Sequence, residues 1–326
     1  MEADNVGAKR TLALFLTAAV LFGGTFVATK AGLAYLPPLF FVAVRFDIGA
    51  VVLASYAAVS MSRSELRPRT VGDVVGIAAT GLLVIGFTNA LLFVGQQYAT
   101  SGVAAIVFSL NPILTPIFAA VLLTDERLSV RAGVGMALGL AGVALVANPA
   151  SGGAISGPGV GILFGGAVTS ALGAVVIRWS ETALSSTART VWGVPLAAVL
   201  SHLLSLGAGE SLSGVSVTPT AVGALVYVGV FSGALAYLAY FAVIDTAGPT
   251  RANLVFYLIP IVSTLGGWLL LGETLSGLTI VGFAVVLSGF LLIGSEAIVG
   301  AAREYIYSRQ RGSEEPTTSV PRDSGD

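Results

Sequence analysis

The stretch ERLSVRAGVGMALGLAG, residues 126–142, returns 147 residues later as ETLSGLTIVGFAVVLSG, residues 273–289. Each copy begins with Glu-X-Leu-Ser and continues into an apolar run whose glycines keep the same spacing. A doubled set of apolar segments is how many secondary transporters are built, because two related halves can move against each other around one central site. The repeat therefore points to a transport protein.

The composition is that of a chain that uses lipid as its solvent. Of the 326 residues, 55% are hydrophobic and 10% are charged, and the mean hydropathy is +0.91. A soluble domain carries about 25% charged residues, so this chain lacks the polar surface that water requires. The formal net charge is −1 and the basic residues are scattered, which argues against nucleic acid as a partner.

The scarcity of reactive side chains argues against enzymatic activity. The chain has no cysteine and one histidine, His202. Disulfides and thiolate metal sites are therefore excluded, and a His-based metal centre or a Ser-His-Asp site is not expected. We predict no catalytic residue, no metal and no cofactor. An intramembrane enzyme would need paired aspartates at matched depth, and Asp47 has no clear aspartate partner.

Ten apolar runs approach the length of about 20 residues that is needed to cross a bilayer. Turn-forming and charged residues separate them. The first run follows two basic residues, as a signal peptide would, but it is long for one. The sequence predicts an all-α polytopic protein of the plasma membrane, multi-pass, with ten transmembrane helices near residues 11–29, 38–60, 73–95, 102–123, 131–148, 159–177, 188–207, 220–242, 251–271 and 278–298.

Basic residues predict the orientation, because they accumulate on the cytoplasmic side of a membrane. With ten spans and a cytoplasmic N-terminus, the loops and tails on the inside hold almost all of the lysines and arginines, and the outer segments hold only Lys30. Both termini are therefore predicted to be cytoplasmic. Residues 299–326 are polar and are predicted to form a disordered cytoplasmic tail.

The two halves, residues 11–148 and 159–298, contain five predicted spans each. Because five is odd, the second half must enter the membrane from the opposite side to the first. The halves are therefore predicted to be inverted five-helix repeats, which supply two similar states, one open inward and one open outward.

Short motifs in both halves resemble a known family. The first half opens with LFGGTF at Leu21–Phe26, followed by Lys30, Pro38 and Arg45. In each half a proline-containing span then precedes Glu-X-Leu-Ser. This pattern resembles the EamA branch of the drug/metabolite transporter superfamily, with Phe22 in place of the usual tryptophan and Asp125 in place of the usual glycine. The resemblance implies ten spans in two repeats and transport of small metabolites.

Prolines lie within corresponding spans of the two halves. Pro112 and Pro116 lie in the fourth span, and Pro260 lies in the ninth. A proline inside a helix removes a backbone hydrogen bond and frees a carbonyl. Paired helix breaks in corresponding helices indicate a central binding site, so we favour a cavity-lining role over a packing kink.

Polar and aromatic side chains are the candidates for substrate binding. An unpaired amide in lipid is costly, so the asparagines are expected to face the bundle interior or a wet cavity. Asn111 could bond either the carbonyl freed by Pro112 or the substrate, and the aromatic residues are either cavity walls or packing and interfacial anchors. The candidates are Asn89, Ser109, Asn111, Tyr237, Asn253, Tyr257 and Trp192.

Four charged residues are candidates for binding, coupling and gating. Arg45 lies within a span and is expected either to bind a substrate carboxylate or to hold the bundle together. Asp47 lies on the other helix face, so it is not expected to pair with Arg45, and it is the candidate for proton coupling. Glu126 and Glu273 lie just before helices, where the helix dipole favours an anion, and either cap those helices or form a gate.

The sequence as a whole predicts a secondary active transporter. It would export a small organic metabolite, amino-acid-like or drug-like, by alternating access. No phosphate-binding loop is visible, so a proton gradient is the expected energy source. The alternatives are facilitated diffusion, import, movement of a lipid-like substrate and, from another class, a membrane sensor or scaffold. The expected partners are the substrate and the lipid bilayer, and a homodimer stays open.

Overall fold

The computed structural model describes residues 2–123, 130–147, 157–247, 252, 254–274 and 276–292. Ten apolar helical segments follow one another in these residues. They are α1 (Glu2–Gly32), α2 (Pro38–Ser60), α3 (Val71–Gln96), α4 (Ser101–Leu122), α5 (Val130–Val146), α6 (Gly159–Trp179), α7 (Ser186–Gly207), α8 (219–247), α9 (Val255–Leu271) and α10 (Gly277–Leu292).

Six of these segments are long and apolar enough to cross a bilayer: α1 from Lys9 onward, α2, α3, α4, α6 and α7. Shorter apolar helices in the described residues are α5, α9, α10 and the part Pro219–Gly233 of α8. Large apolar side chains lie exposed on the outside of the bundle, among them Val51, Val59, Val121 and Leu203. In a bilayer this surface faces lipid, so the all-helical membrane protein that the composition predicts is confirmed.

Two of the helices contain π-helical turns at corresponding places. In α3 the π-helical stretch is Ala79–Phe87, and in α8 it is Tyr227–Leu235. The two stretches have the same length and begin 148 residues apart. A π-turn holds more residues than an α-turn and is frequent at functional sites, because it changes the direction in which the following side chains point.

The predicted helix breaks are present at one proline and absent at two. Helix α4 divides into Ser101–Phe108 and Asn111–Leu122, and Pro112 lies in the first turn of the second piece. That turn has no intrahelical acceptor for its N–H groups, so a proline costs little there. By contrast, the helix is continuous through Pro116 and Pro260, because each removes only one hydrogen bond and the neighbouring turns keep theirs.

Glycines let several helices meet backbone to backbone. A Cβ atom added to Gly142 of α5 would lie 2.6 Å from the carbonyl oxygen of Gly282 in α10. In the same way, a Cβ added to Gly193 of α7 would lie 3.1 Å from the backbone nitrogen of Gly81 in α3. Apolar helices in lipid associate through such close packing, because no hydrophobic effect drives them together.

Carboxylates hold the beginnings of two helices from across the bundle. Glu210, which follows α7, accepts the backbone N–H groups of Leu39 at 2.9 Å and Phe40 at 2.8 Å, in the first turn of α2. Asp73, in the first turn of α3, accepts the hydroxyl of Thr182 at 2.9 Å and the N–H of Ala183 at 3.0 Å, in the segment before α7. These bonds tie residues of the first five helices to residues of the last five.

Candidate functional site

The centre of the candidate site is the guanidinium of Arg45, on α2. Its Nη1 donates a hydrogen bond of 2.8 Å to Oδ1 of Asn89, on α3. Nδ2 of Asn89 in turn donates to the carbonyl of Ile85 at 2.8 Å, which fixes the amide. The guanidinium also lies 5.5 Å from the ring centre of Phe46 and 5.7 Å from that of Phe93. These ring faces stabilise the positive charge in an apolar setting.

Tyr237 approaches Arg45 from the other half of the chain. It lies on α8, close enough to Arg45 for the two groups to influence each other electrostatically. Tyr237 and Asn89 are 148 residues apart, and each lies two residues beyond a π-helical stretch. The two π-helical stretches therefore present an amide and a phenol to the same arginine.

Tyr237 belongs to a group of four aromatic rings. Phe22 of α1 meets Tyr237 edge to face at a centroid distance of 5.0 Å and stacks on Phe256 of α9 at 6.1 Å. Tyr240 of α8 meets Phe256 edge to face at 5.3 Å. We call Phe22, Tyr237, Tyr240 and Phe256 the aromatic cluster. It joins α1, from the beginning of the chain, to α8 and α9, from its second half.

Both central residues of the site keep accessible surface. Arg45 lies about two turns into α2 and Tyr237 lies in the middle of α8. Arg45 is only half-buried, and Tyr237 is 48% exposed. Among the side chains that the structure describes, no carboxylate lies within ion-pair distance of Arg45.

Asp47 points away from Arg45 and pairs with the one histidine. Its Oδ2 lies 2.9 Å from Nε2 of His202, on α7. Both side chains are about half exposed, so the pair lies on an open part of the contact between α2 and α7. The sequence predicts that Asp47 lies on a different helix face from Arg45. It does not predict the pairing of Asp47 with His202.

Glu273 caps the beginning of α4. Both of its carboxylate oxygens accept the backbone N–H of Ser101 at 2.9 Å, and Oε1 also accepts the Ser101 hydroxyl at 3.1 Å. Lys30 lies near enough to attract the carboxylate, and its Nζ donates to the carbonyl of Gln96 at 3.0 Å. We call Glu273, Ser101 and Lys30 the Glu273 cap.

The chain reaches this arrangement through a glycine. Gly272 has a φ of +66°, in the left-handed region that favours glycine, and turns the chain back so that the Glu273 N–H donates to the carbonyl of Gly267 at 3.1 Å. The carboxylate then crosses the surface of Gly267, where a Cβ atom would collide with it. Burial raises the pKa of the Glu273 carboxyl, and the bonds from Ser101 and the charge of Lys30 partly oppose this rise.

Two predicted binding residues instead make structural contacts inside the bundle. Nδ2 of Asn111 donates to the hydroxyl of Ser170 on α6 at 2.5 Å. Ser109 donates to its own helix, at the carbonyl of Ile106, at 2.6 Å. The sequence left the substrate and the carbonyl freed by Pro112 as possible partners of Asn111. In this structure its amide bonds Ser170, on a neighbouring helix.

The other predicted residues lie apart from Arg45 or outside the described residues. Tyr257 packs against Phe290 with a centroid distance of 5.2 Å. Trp192 donates its indole N–H to the carbonyl of Leu66 at 2.8 Å on the exposed surface, as an interfacial anchor would. Glu126 and Asn253 lie outside the described residues.

The sequence did not single out Phe22, Phe93 or Phe256 as site residues, since phenylalanine in an apolar helix carries no special signal. The sequence does carry one signal for the location of the site. Asn89 and Tyr237 hold the same position in the repeat, and a polar residue at equivalent places in two otherwise apolar helices indicates a shared interior location.

Comparison with known proteins places the chain in a family. The model of the EamA-like transporter family matches it twice, over residues 9–148 and 157–295. The chain is thus an integral, multi-pass protein of the plasma membrane. It belongs to the EamA-like transporter family, and the membrane-transporter class that its sequence predicts is confirmed.

Its relatives span most of its length. The uncharacterized transporter YvbV of Bacillus subtilis is 28% identical over 88% of this chain and 92% of the relative. The uncharacterized inner membrane transporter YedA of Escherichia coli is 29% identical over 82% of this chain and 87% of the relative. A solved crystal structure with 26% identity covers 88% of this chain and 96% of its own, with a TM-score of 0.56.

Proposed function

We propose that this protein is a secondary active transporter that exports a small organic metabolite by alternating access. The observation that carries the proposal is the contact of Arg45 with Asn89 from α3 and its proximity to Tyr237 from α8. A site shared between the two matched ranges changes its access when the ranges move against each other. A charged group kept inside a membrane bundle is by default a functional candidate.

The order of the helices supports two inverted halves. Contacts at the Glu273 cap bring together the end of α1 and the beginning of α4. At the same end, α2 begins beside the end of α7, where Glu210 holds it. Corresponding helices α2 and α7 therefore run in opposite directions, as an inverted repeat requires. On this proposal the ten helices span the membrane and both termini are cytoplasmic.

The Glu273 cap is proposed to be the outer gate. It joins Glu273 of the second matched range to Ser101 and Lys30 of the first, so movement of the two ranges would break these bonds. Its carboxylate lies outside the membrane-spanning helices, at the end where Lys30 is predicted to face outward. The corresponding inner gate would involve Glu126, which has the same place in the repeat.

Proton coupling is proposed for the pair of Asp47 and His202. Oδ2 of Asp47 lies 2.9 Å from Nε2 of His202, and this contact joins α2 to α7, which come from different halves. A proton that enters or leaves the contact would change the bond between the halves and so bias the rocking motion.

The experiment that tests transport is mass-spectrometric analysis of the medium of cells that overproduce the protein. The inactive variant is Arg45→Gln, and the matched control is Glu181→Gln, at an exposed position between α6 and α7. Membrane levels of all three are equalised. We expect one class of metabolite to accumulate outside cells with the unsubstituted protein and the control, and not with Arg45→Gln. Equal media from all cells, including empty-vector cells, would refute export.

Movement of a lipid-like substrate is the second candidate, because the bundle has an apolar groove of about 530 Å³ on its side. The groove lies between α1, α8 and α9 and is lined by Gly24, Val27, Tyr227, Val262 and neighbouring apolar residues. An acyl chain would fit such a surface.

A vesicle experiment separates the two candidates. Vesicles containing the purified protein and a fluorescent phospholipid are treated with a membrane-impermeant quencher, and protein-free vesicles serve as control. Quenching of the inner-leaflet lipid only when the protein is present would establish lipid movement. Quenching limited to the outer leaflet in both preparations would leave soluble-metabolite transport as the function.

A further inference from the structure

We propose that the substrate is an organic anion, a carboxylate with an aromatic or bulky apolar body and without an ammonium group. This inference rests on the proposed transport function and defines the chemistry of its site. It follows from what surrounds Arg45: a positive charge with free bonding capacity, rings on the adjoining wall and no acidic partner among the described side chains.

Arg45 has donors left for a ligand. A guanidinium carries five N–H donors in a planar fork, and the hydrogen bond from Nη1 to Asn89 uses one of them. That bond, together with the faces of Phe46 and Phe93, holds the fork in one orientation. A fixed fork with open donors matches a carboxylate, which can accept two parallel N–H bonds.

The aromatic cluster fits the body of the ligand. Tyr237, the ring of the cluster that interacts electrostatically with Arg45, is 48% exposed. Phe256 also keeps 38% of its surface accessible. Rings with uncovered surface beside a cation favour a ligand whose charge meets the arginine and whose apolar part packs against the rings.

Among the carboxylates that the structure describes, none is placed to bind an ammonium group beside Arg45. Asp47 pairs with His202 at 2.9 Å, and Glu273 caps α4. An ammonium beside Arg45 would meet a like charge, and like charges within a site of low polarity repel strongly. The site therefore discriminates against cations, and a zwitterion binds less well than the corresponding anion.

The test uses three ligands that share one ring and differ in charge. They are 3-phenylpropanoate, an anion; phenylalanine, which adds an ammonium group; and 2-phenylethylamine, a cation. Binding to the full-length protein in lipid nanodiscs is measured by titration calorimetry at pH 7. A hydrogen bond to a charged group contributes about ten- to hundredfold in affinity. We expect 3-phenylpropanoate to bind at least about tenfold more tightly than phenylalanine, and 2-phenylethylamine not to bind.

Further comparisons assign the result to Arg45 and to the rings. Acetate, which lacks the apolar body, should bind more weakly than 3-phenylpropanoate. Arg45→Gln, which keeps a donor for Asn89, should abolish the preference for the anion, whereas Arg45→Lys should retain its sign. Circular dichroism and thermal unfolding confirm that each variant is folded. If Arg45→Lys is the only variant that folds, the ratio of its affinities for 3-phenylpropanoate and phenylalanine is compared with that of the unsubstituted protein.

The outcomes separate this inference from transport itself. Equal or tighter binding of phenylalanine or 2-phenylethylamine, or no binding of 3-phenylpropanoate, would overturn the anion proposal. Export of a cationic or zwitterionic metabolite in the medium analysis would also overturn it, while it would support transport. Anion binding without any change in the medium would instead count against export and leave the chemistry of the site supported.

Discussion

Asn89 and Tyr237 hold the same position in the two matched ranges, and both lie beside Arg45. They are 148 residues apart, as are the starts of the two ranges. Asn89 accepts the hydrogen bond from Arg45, and Tyr237 belongs to the aromatic cluster. Corresponding helices thus contribute a polar wall on one side and an aromatic wall on the other, and a ligand with one charged end has a single favoured orientation.

Replacing Asn89 with aspartate should inhibit binding of anions. In Asn89→Asp a carboxylate would occupy the acceptor position, 2.8 Å from Nη1, and would compete with the substrate for the guanidinium. We expect anion affinity to fall by about tenfold or more. Asn89→Leu, the control without a charge, should weaken binding less, because it only releases the guanidinium. Calorimetry on both variants tests this, and unchanged affinity in Asn89→Asp would contradict the assignment of Arg45.

Removing the side chain of Glu273 should destabilise the protein. Glu273→Ala leaves the N–H of Ser101 without its acceptor, and loss of a helix cap costs about 0.5–2 kcal/mol. Glu273→Gln keeps an acceptor oxygen and should be tolerated much better. Thermal unfolding in detergent measures the difference, with Glu181→Gln, at an exposed position, as control. Equal unfolding temperatures for the Ala and Gln variants would show that the cap contributes little.

The same carboxyl predicts a dependence of stability on pH. Because burial raises the pKa of Glu273 above 4.5, the folded protein holds this proton more tightly than the unfolded chain does. The contribution of the group to stability is therefore greatest at low pH and falls as the pH rises from 4.5 to the folded value. As the pH rises across that window, the unfolding temperature of the wild type should decline relative to that of Glu273→Gln. A constant difference between the two would disagree with this prediction.

Disruption of the pair between Asp47 and His202 should alter proton coupling and spare substrate binding. The pair lies on the exposed side of the contact between α2 and α7, away from the guanidinium of Arg45. We expect Asp47→Asn and His202→Gln each to reduce the transport into vesicles that an imposed proton gradient drives. The double variant should add nothing further, since each single change already removes the interaction. Loss of ligand affinity in either single variant would place the pair in the binding site instead.

A side chain at Gly282 should separate α5 from α10. A Cβ atom there would lie 2.7 Å from the carbonyl oxygen of Gly142, and overpacking of this kind costs about 1–3 kcal/mol. Gly133→Ala, on α5, is the control, because nothing lies within 4 Å of its added Cβ. Thermal unfolding should show a loss for Gly282→Ala and no loss for Gly133→Ala. Similar stability of both variants would argue against the close contact.

The helical segments were predictable from sequence because lipid imposes a simple rule. Every backbone group must be bonded within its own segment, so apolar stretches of sufficient length become helices. The predicted run 38–60 coincides with α2, and the predicted run 159–177 falls within α6. The ends are marked by residues that cannot continue a helix, such as Pro38 at the beginning of α2.

The partners of the site residues were not predictable in the same way. Arg45 and Asn89 are 44 residues apart, and Asp47 and His202 are 155 residues apart, so only the packing of helices decides these pairs. The π-helical stretches also escaped prediction, because they are largely apolar and differ from an α-helix only in which backbone groups bond to each other. The sequence predicted Arg45, Asn89 and Asn111 as candidates, and the packing brings Arg45 onto Asn89 and Asn111 onto Ser170.

The charge of Arg45, which no carboxylate among the described side chains compensates, makes the proposed cycle sensitive to membrane voltage. One elementary charge that crosses the full membrane field gains or loses about 2.3 kcal/mol per 100 mV. The empty carrier holds this charge, whereas the carrier loaded with a monoanion has none at the site. A negative interior would therefore draw the empty site toward the cytoplasm, where it loads, and the loaded form would leave without an electrical penalty. The resting potential of the cell would itself return the carrier to its loading position.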